Sequence, residues 1–105
     1  MAKQIILTYK DEEYTLEFTR ASIQKLEARD FDINEVRRKP MTYLPLIFAG
    51  AFVAHHPYVK KEVVDAIFAQ IKDKAGLFDK LGEMYNDPIE AMLDNEGNLE
   101  WKATW

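Results

Sequence analysis

The chain of 105 residues has no cysteine, which excludes disulfides, a thiol nucleophile and thiolate metal ligands and suits a reducing compartment. Glycine is scarce as well. Gly50, Gly76, Gly82 and Gly97 lie scattered, and none belongs to a glycine-rich phosphate-binding loop. Serine occurs only at Ser22, so a hydrolytic triad would have to be assembled by the fold from Ser22, His55 or His56 and an acid. The chain is therefore read as non-enzymatic, with no catalytic, cofactor or metal site. An excess of positive charge is also missing: 14 Lys and Arg stand against 18 Asp and Glu, a net charge of −4 that opposes attraction to phosphates. Nucleic acid is not an expected partner. The longest apolar stretch, Leu44 to Ala54, is far short of the roughly 20 residues needed to cross a bilayer. Near the N-terminus the apolar run is only Ile5 to Leu7, too short for a signal-peptide core, which predicts a cytoplasmic protein without a membrane partner.

What the chain does have is the stretch PMTYLPLIFAGAFVAHHP, Pro40 to Pro57. From Leu46 to Ala54 it carries no polar side chain, so no helical face is left for water, and it predicts a central buried helix over 43–55. Thr42 is the predicted N-cap, which puts Pro45 in the first turn, where its missing N–H costs nothing. Gly50, between Ala49 and Ala51, offers a small-residue face for close packing. Burying Leu44, Leu46, Ile47, Phe48, Phe52 and Val53 contributes on the order of 10 kcal/mol. Ordering the backbone costs about as much, so the rest of the chain must wrap this helix.

Ile5, Leu7 and Tyr9 alternate with polar residues, as do Tyr14, Leu16 and Phe18, which predicts a β-hairpin. A register pairing Tyr9 with Tyr14, Leu7 with Leu16 and Ile5 with Phe18 puts apolar residues opposite one another, across a four-residue connection. Thr19 is predicted to cap a helix through RASIQKLEARD, and Asp32 a short turn from Ile33 to Arg38 with Glu35 reaching back; Pro40 ends it. Val59, Val63, Val64, Ile67, Phe68 and Ile71 fall at helical spacing. Asp73 caps a further helix with Leu77, Phe78, Leu81, Met84 and Tyr85, weakened by Gly76 and Gly82, and Asp87-Pro88-Ile89-Glu90 restarts a short one to Leu93. Asp94 to Asn98 reads as a loop. Leu99, Trp101, Ala103 and Trp105 then alternate with Glu100, Lys102 and Thr104 as in a strand, preferentially a third strand on the hairpin. The predicted fold is α+β and mostly helical: a hairpin joined by this C-terminal strand, packed on a bundle of about four to five helices around the central one. One domain covers 1–105, divided into hairpin (1–18), helical part (19–94) and tail (95–105).

Adjacent His55 and His56 diverge on a helix, which favours structural roles over a shared metal. The clusters Asp11-Glu12-Glu13 and Asp94 to Glu96 read as solvated turns, and Arg37-Arg38-Lys39 as a charge complement to a helix C-terminus. Trp101 and Trp105 either finish the core, the preferred reading, or anchor a partner chain. Beyond a compact domain, these residue chemistries carry no function.

A resemblance supplies one. Through YKDEEYTLEFTRASIQKLE, KPMTYLPLIFAGAFVAHHPYVKKEVVDAIF, KLGEMYNDPIEAMLD and EGNLEWKATW, the sequence resembles the small tail assembly chaperones of long, non-contractile-tailed (siphovirus) bacteriophages and prophages of Gram-positive bacteria. It departs from them at Asp30, where a glycine turn is expected. The resemblance implies a non-enzymatic protein of the host cytoplasm that binds the tape measure protein, keeps it soluble and promotes tail tube polymerisation, and that is absent from the mature virion. The tail tube protein would be a second partner, in many relatives through a longer frameshifted form. A tape measure helix is expected to lie in an apolar groove edged by Val63, Ile67 and Phe68 or by Phe78, Met84 and Tyr85. The alternative to finishing the core is that the tail bearing Trp101 and Trp105 docks on a neighbouring copy by strand addition, giving a homo-oligomer. The alternative is a small phage regulator with a helix-turn-helix, tested by salt-sensitive binding to duplex DNA.

Overall fold

The computed structural model describes residues 3–93 and 97–105. Two strands, β1 (Ile5–Tyr9) and β2 (Glu12–Leu16), precede helices α1 (Arg20–Glu27), α2 (Pro40–Gly50), α3 (Lys61–Gln70) and α4 (Lys74–Met92), with a short 3-10 turn at Ile33–Glu35. The fold is the predicted α+β, mostly helical class. Helix α2 touches α1, α3, α4 and the 3-10 turn, as its all-round apolar sequence requires.

The hairpin forms in a register two residues tighter than expected. Ile5 pairs with Leu16, Leu7 with Tyr14 and Tyr9 with Glu12. The connection is only Lys10-Asp11, both in left-handed conformations (φ 49° and 65°), as a primed turn demands even without glycine. Parity is preserved, so Tyr14 and Leu16 still face the core, while Phe18 leaves the sheet and buries against Tyr85, ring centroids 5.2 Å apart.

Thr19 caps α1 as predicted. Its Oγ1 accepts from the Ser22 amide, and Ser22 Oγ accepts from the Thr19 amide. The helix ends in a Schellman pattern, with Phe31 N–H donating to Leu26 O and Asp30 N–H to Glu27 O. Asp30 there has φ 62°, the conformation for which a glycine was expected. Asp32 caps the next turn through the Asn34 amide, but Glu35 pairs with Arg38 instead of reaching back. The turn is therefore shorter than Ile33 to Arg38.

Helix α2 starts at Pro40, not after Thr42, because proline at the first helical position suits a helix start. Pro45 consequently sits inside the helix. The carbonyl it leaves without a helical donor belongs to Met41, which is 91% exposed and open to water. The helix stops at Gly50, and residues 51–55 continue as turns with shorter-range bonds such as Phe52 N–H to Ala49 O. Ala51 and Phe52 remain fully buried in these turns. Gly50 serves the predicted close approach: a Cβ there would stand 2.6 Å from Leu26 Cδ1 of α1.

Helix α4 begins at the predicted cap, with Asp73 accepting from the Gly76 amide, but does not restart at Asp87. It runs unbroken through Pro88, since helical turns on both sides outweigh the single bond lost to Met84. Two aromatic chains tie the elements together. Tyr14, Phe52, Phe48, Phe68 and Phe78 form one, with successive centroids 5.8, 5.2, 5.4 and 6.0 Å apart. Phe18, Tyr85, Phe31 and Tyr43 form the other, at 5.2, 5.7 and 5.7 Å.

The third strand is not formed: among the described residues the sheet has two strands and 97–105 has no regular structure. The hairpin is supported instead by the end of α2. Glu17 N–H donates to Ala51 O at 3.0 Å and Thr15 N–H to His56 Nε2 at 3.0 Å, which closes the outer edge of β2. Of the predicted loop Asp94 to Asn98, residues 94–96 lie outside the described residues.

Candidate functional site

Among the described residues, a concavity lies where α2, α4 and the 3-10 turn diverge. It is a groove of about 690 Å³ whose apolar wall is made by Ile33, Val36, Leu44, Ile47 and Phe78, with Arg37 and Asp79 also lining it. Local sequence explains its shape. Pro40 starts α2 and fixes the entry of the chain, while Ala75 and Gly82, on α4 to either side of Phe78, keep that side low. Nothing lies within 4 Å of a Cβ built on Gly82. Phe78 is the outer end of the aromatic chain that begins at Tyr14, so this wall is braced by the core.

Of the residues predicted to contact a partner, Phe78 is the one in this groove. Ile67, Met84 and Tyr85 are corrected to core positions, each no more than 3% exposed, because α3 packs on α2, and α4 on α1 and α2, with the faces that carry them turned inward. Val63 and Phe68 are half-buried; Phe68 packs between Phe48 and Phe78, with Lys74 Nζ 5.6 Å from its ring centre. Trp101 and Trp105 are 84% and 102% exposed, which overturns the preferred reading that they finish the core. Leu99 is 91% exposed beside them. Ile33, Val36 and Leu44 escaped the sequence reading because they come from two separate segments, the 3-10 turn with the residue after it and α2.

The polar groups with specific partners serve the fold. His56 Nε2 accepts from the Thr15 amide, which requires the neutral ring with its proton on Nδ1, and the ring packs edge-on against Tyr14 at 5.1 Å. His55 Nε2 lies 2.7 Å from Glu17 Oε1, and the Gln4 amide donates to the same oxygen at 2.9 Å. Together they hold the Glu17 carboxyl below its ordinary range, the bond from His55 contributing most. Burial pushes the Tyr14 phenol up, helped by its 3.0 Å bond to Glu12, and burial likewise raises Tyr85. Ser22 is buried and its hydroxyl is engaged with the Thr19 backbone, donating to the carbonyl as well as accepting from the amide. Arg37, Arg38 and Lys39 are exposed just before α2 rather than at a helix C-terminus. Among the described residues no group of three or more His, Asp and Glu is placed to hold a metal ion, and no buried side-chain nitrogen or oxygen lacks a partner. No helix among them is long and apolar enough to cross a membrane.

The apolar wall of the groove is suited to holding an apolar surface. Over residues 1–105 the chain matches the protein family described as "Domain of unknown function (DUF5055)". No curated protein and no solved structure matches it.

Proposed function

The chain belongs to the DUF5055 family, and we propose that it is a tail assembly chaperone of a long-tailed phage or prophage, which binds the tape measure protein in the host cytoplasm and keeps it soluble while tube subunits polymerise around it. The observation that carries this reading is the groove edged by Phe78. Its apolar wall of Ile33, Val36, Leu44 and Ile47 suits the apolar stripe of an amphipathic helix, and Arg37 and Asp79 can meet charges of either sign beside that stripe. The sequence resemblance supplies the identity of the helix. A net charge of −4 is consistent with a protein partner rather than nucleic acid. The tail tube protein is the second proposed partner, reached through a longer form of the chain.

The test is co-expression with the tape measure protein of the same genome. The two should copurify, and the tape measure protein should remain soluble. A Gly82→Leu variant should fold but lose the complex, because a Cβ there meets nothing and the longer side chain extends into the groove. Aggregation of the tape measure protein regardless of this chain would sink the proposal. Capture undiminished by Gly82→Leu would remove the groove from it.

A further inference from the structure

The hairpin has one closed edge and one open edge. The closed edge is β2, where His56 and Ala51 take the outward amides of Thr15 and Glu17. Because the Thr15 amide points away from β1, the pair Ile6 and Thr15 is of the type without mutual hydrogen bonds. Ile6 therefore turns its own N–H and C=O outward, and Thr8 does the same two residues on. Among the described residues, no hydrogen bond from outside the hairpin reaches either amide. Ile6 is 52% exposed, and Ile5, Leu7 and Tyr9 on the other face are only half-covered. Unprotected edges of this kind accept further strands.

The chain also contains a strand-patterned segment without a partner, Leu99 to Trp105. We infer that this segment of one copy adds antiparallel to the β1 edge of a second copy. One register satisfies both faces. Setting Trp101 opposite Tyr9 puts Ala103 opposite Leu7 and Trp105 opposite Ile5, which covers the half-exposed apolar row with two indoles. The same register sets Glu100 opposite Lys10, a pair of opposite charge, Lys102 opposite Thr8 and Thr104 opposite Ile6. The contact joins two different surfaces, tail and edge, so a pair of copies keeps one of each free for the next. This self-association does not rest on the proposed function.

Sedimentation equilibrium of the full chain, from micromolar to millimolar concentration, tests it with two variants. Trp101→Ser with Trp105→Ser alters only exposed positions and leaves β1 intact. Thr8→Pro removes an outward amide at a sheet edge, where proline is tolerated, and leaves the tail intact. The wild-type mass should rise with concentration, and each variant alone should associate at least tenfold more weakly. Mixed together they should recover one wild-type-strength contact and stop at a heterodimer, because one supplies the edge and the other the tail. A wild-type chain that stays monomeric throughout overturns the inference, as does association that neither variant weakens. If Thr8→Pro fails to fold, the tryptophan variant decides alone.

Discussion

The hairpin and the tail carry the same alternating pattern and meet opposite fates. Tyr14 and Leu16 are buried, Leu16 completely, whereas Leu99, Trp101 and Trp105 stand almost wholly in solvent. Alternation specifies that a segment has an apolar face; it does not specify what covers that face. For the hairpin the cover lies within reach, in α2 and the turns after it. For the tail the described residues offer none.

The comparison breaks most visibly under truncation. Leu16→Ala should cost about 2–5 kcal/mol in urea denaturation, since it empties a fully enclosed site. Trp105→Ala, measured on the dilute monomer, should stay within about 0.5 kcal/mol of wild type. A comparable loss at both sites would mean that the tail belongs to the monomer core. Next in size is a contrast of glycines. Gly50→Ala drives a methyl into Leu26 and should cost about 1–3 kcal/mol, while Gly82→Ala, with open space around it, should gain up to about 1 kcal/mol.

His56→Phe sharpens the account of the closed edge. It keeps an aromatic ring beside Tyr14 and Phe52 but leaves the Thr15 amide without an acceptor, for a loss of about 1–3 kcal/mol by the same denaturation assay. The smallest effect is acidic. The folded chain holds Glu17 below its ordinary value of 4.5, so the stability it contributes is present above that value and declines as pH falls through the lower folded value. A Glu17→Gln variant should lack this part of the acid limb in melting temperatures recorded against pH. An unchanged limb would remove the His55 contact from the account.

The strongest local signals survived folding: the Thr19 and Asp73 caps, the burial of Ile47, Phe48 and Phe52 within the apolar run, and the tight approach at Gly50. The misreadings came where two local rules competed. Lys10-Asp11 lacks the Asn-Gly or Asp-Gly that favours a primed turn, yet both residues adopt its left-handed conformation and the strands close in the tighter register. At Asp87-Pro88 a helix-start signature lies inside a longer helix, where Leu81, Met84 and Tyr85 anchor the preceding turns in the core. Helical spacing marked Ile67, Met84 and Tyr85 as an apolar face, but spacing cannot distinguish a face turned to the core from one turned to a partner. The groove was legible only through Phe78, because its other walls come together across the chain.

The bonds that close the β2 edge link residues far apart in sequence, Thr15 with His56 and Glu17 with Ala51 and His55. Neither the hairpin nor the end of α2 can open alone without breaking these links. Amide hydrogens of β2 and of the turns after Gly50 should therefore exchange with solvent as one cooperative unit, with the same opening free energy. In the dilute monomer the amides of Ile6 and Thr8, a strand's width away, should exchange at nearly the rate of an unfolded chain.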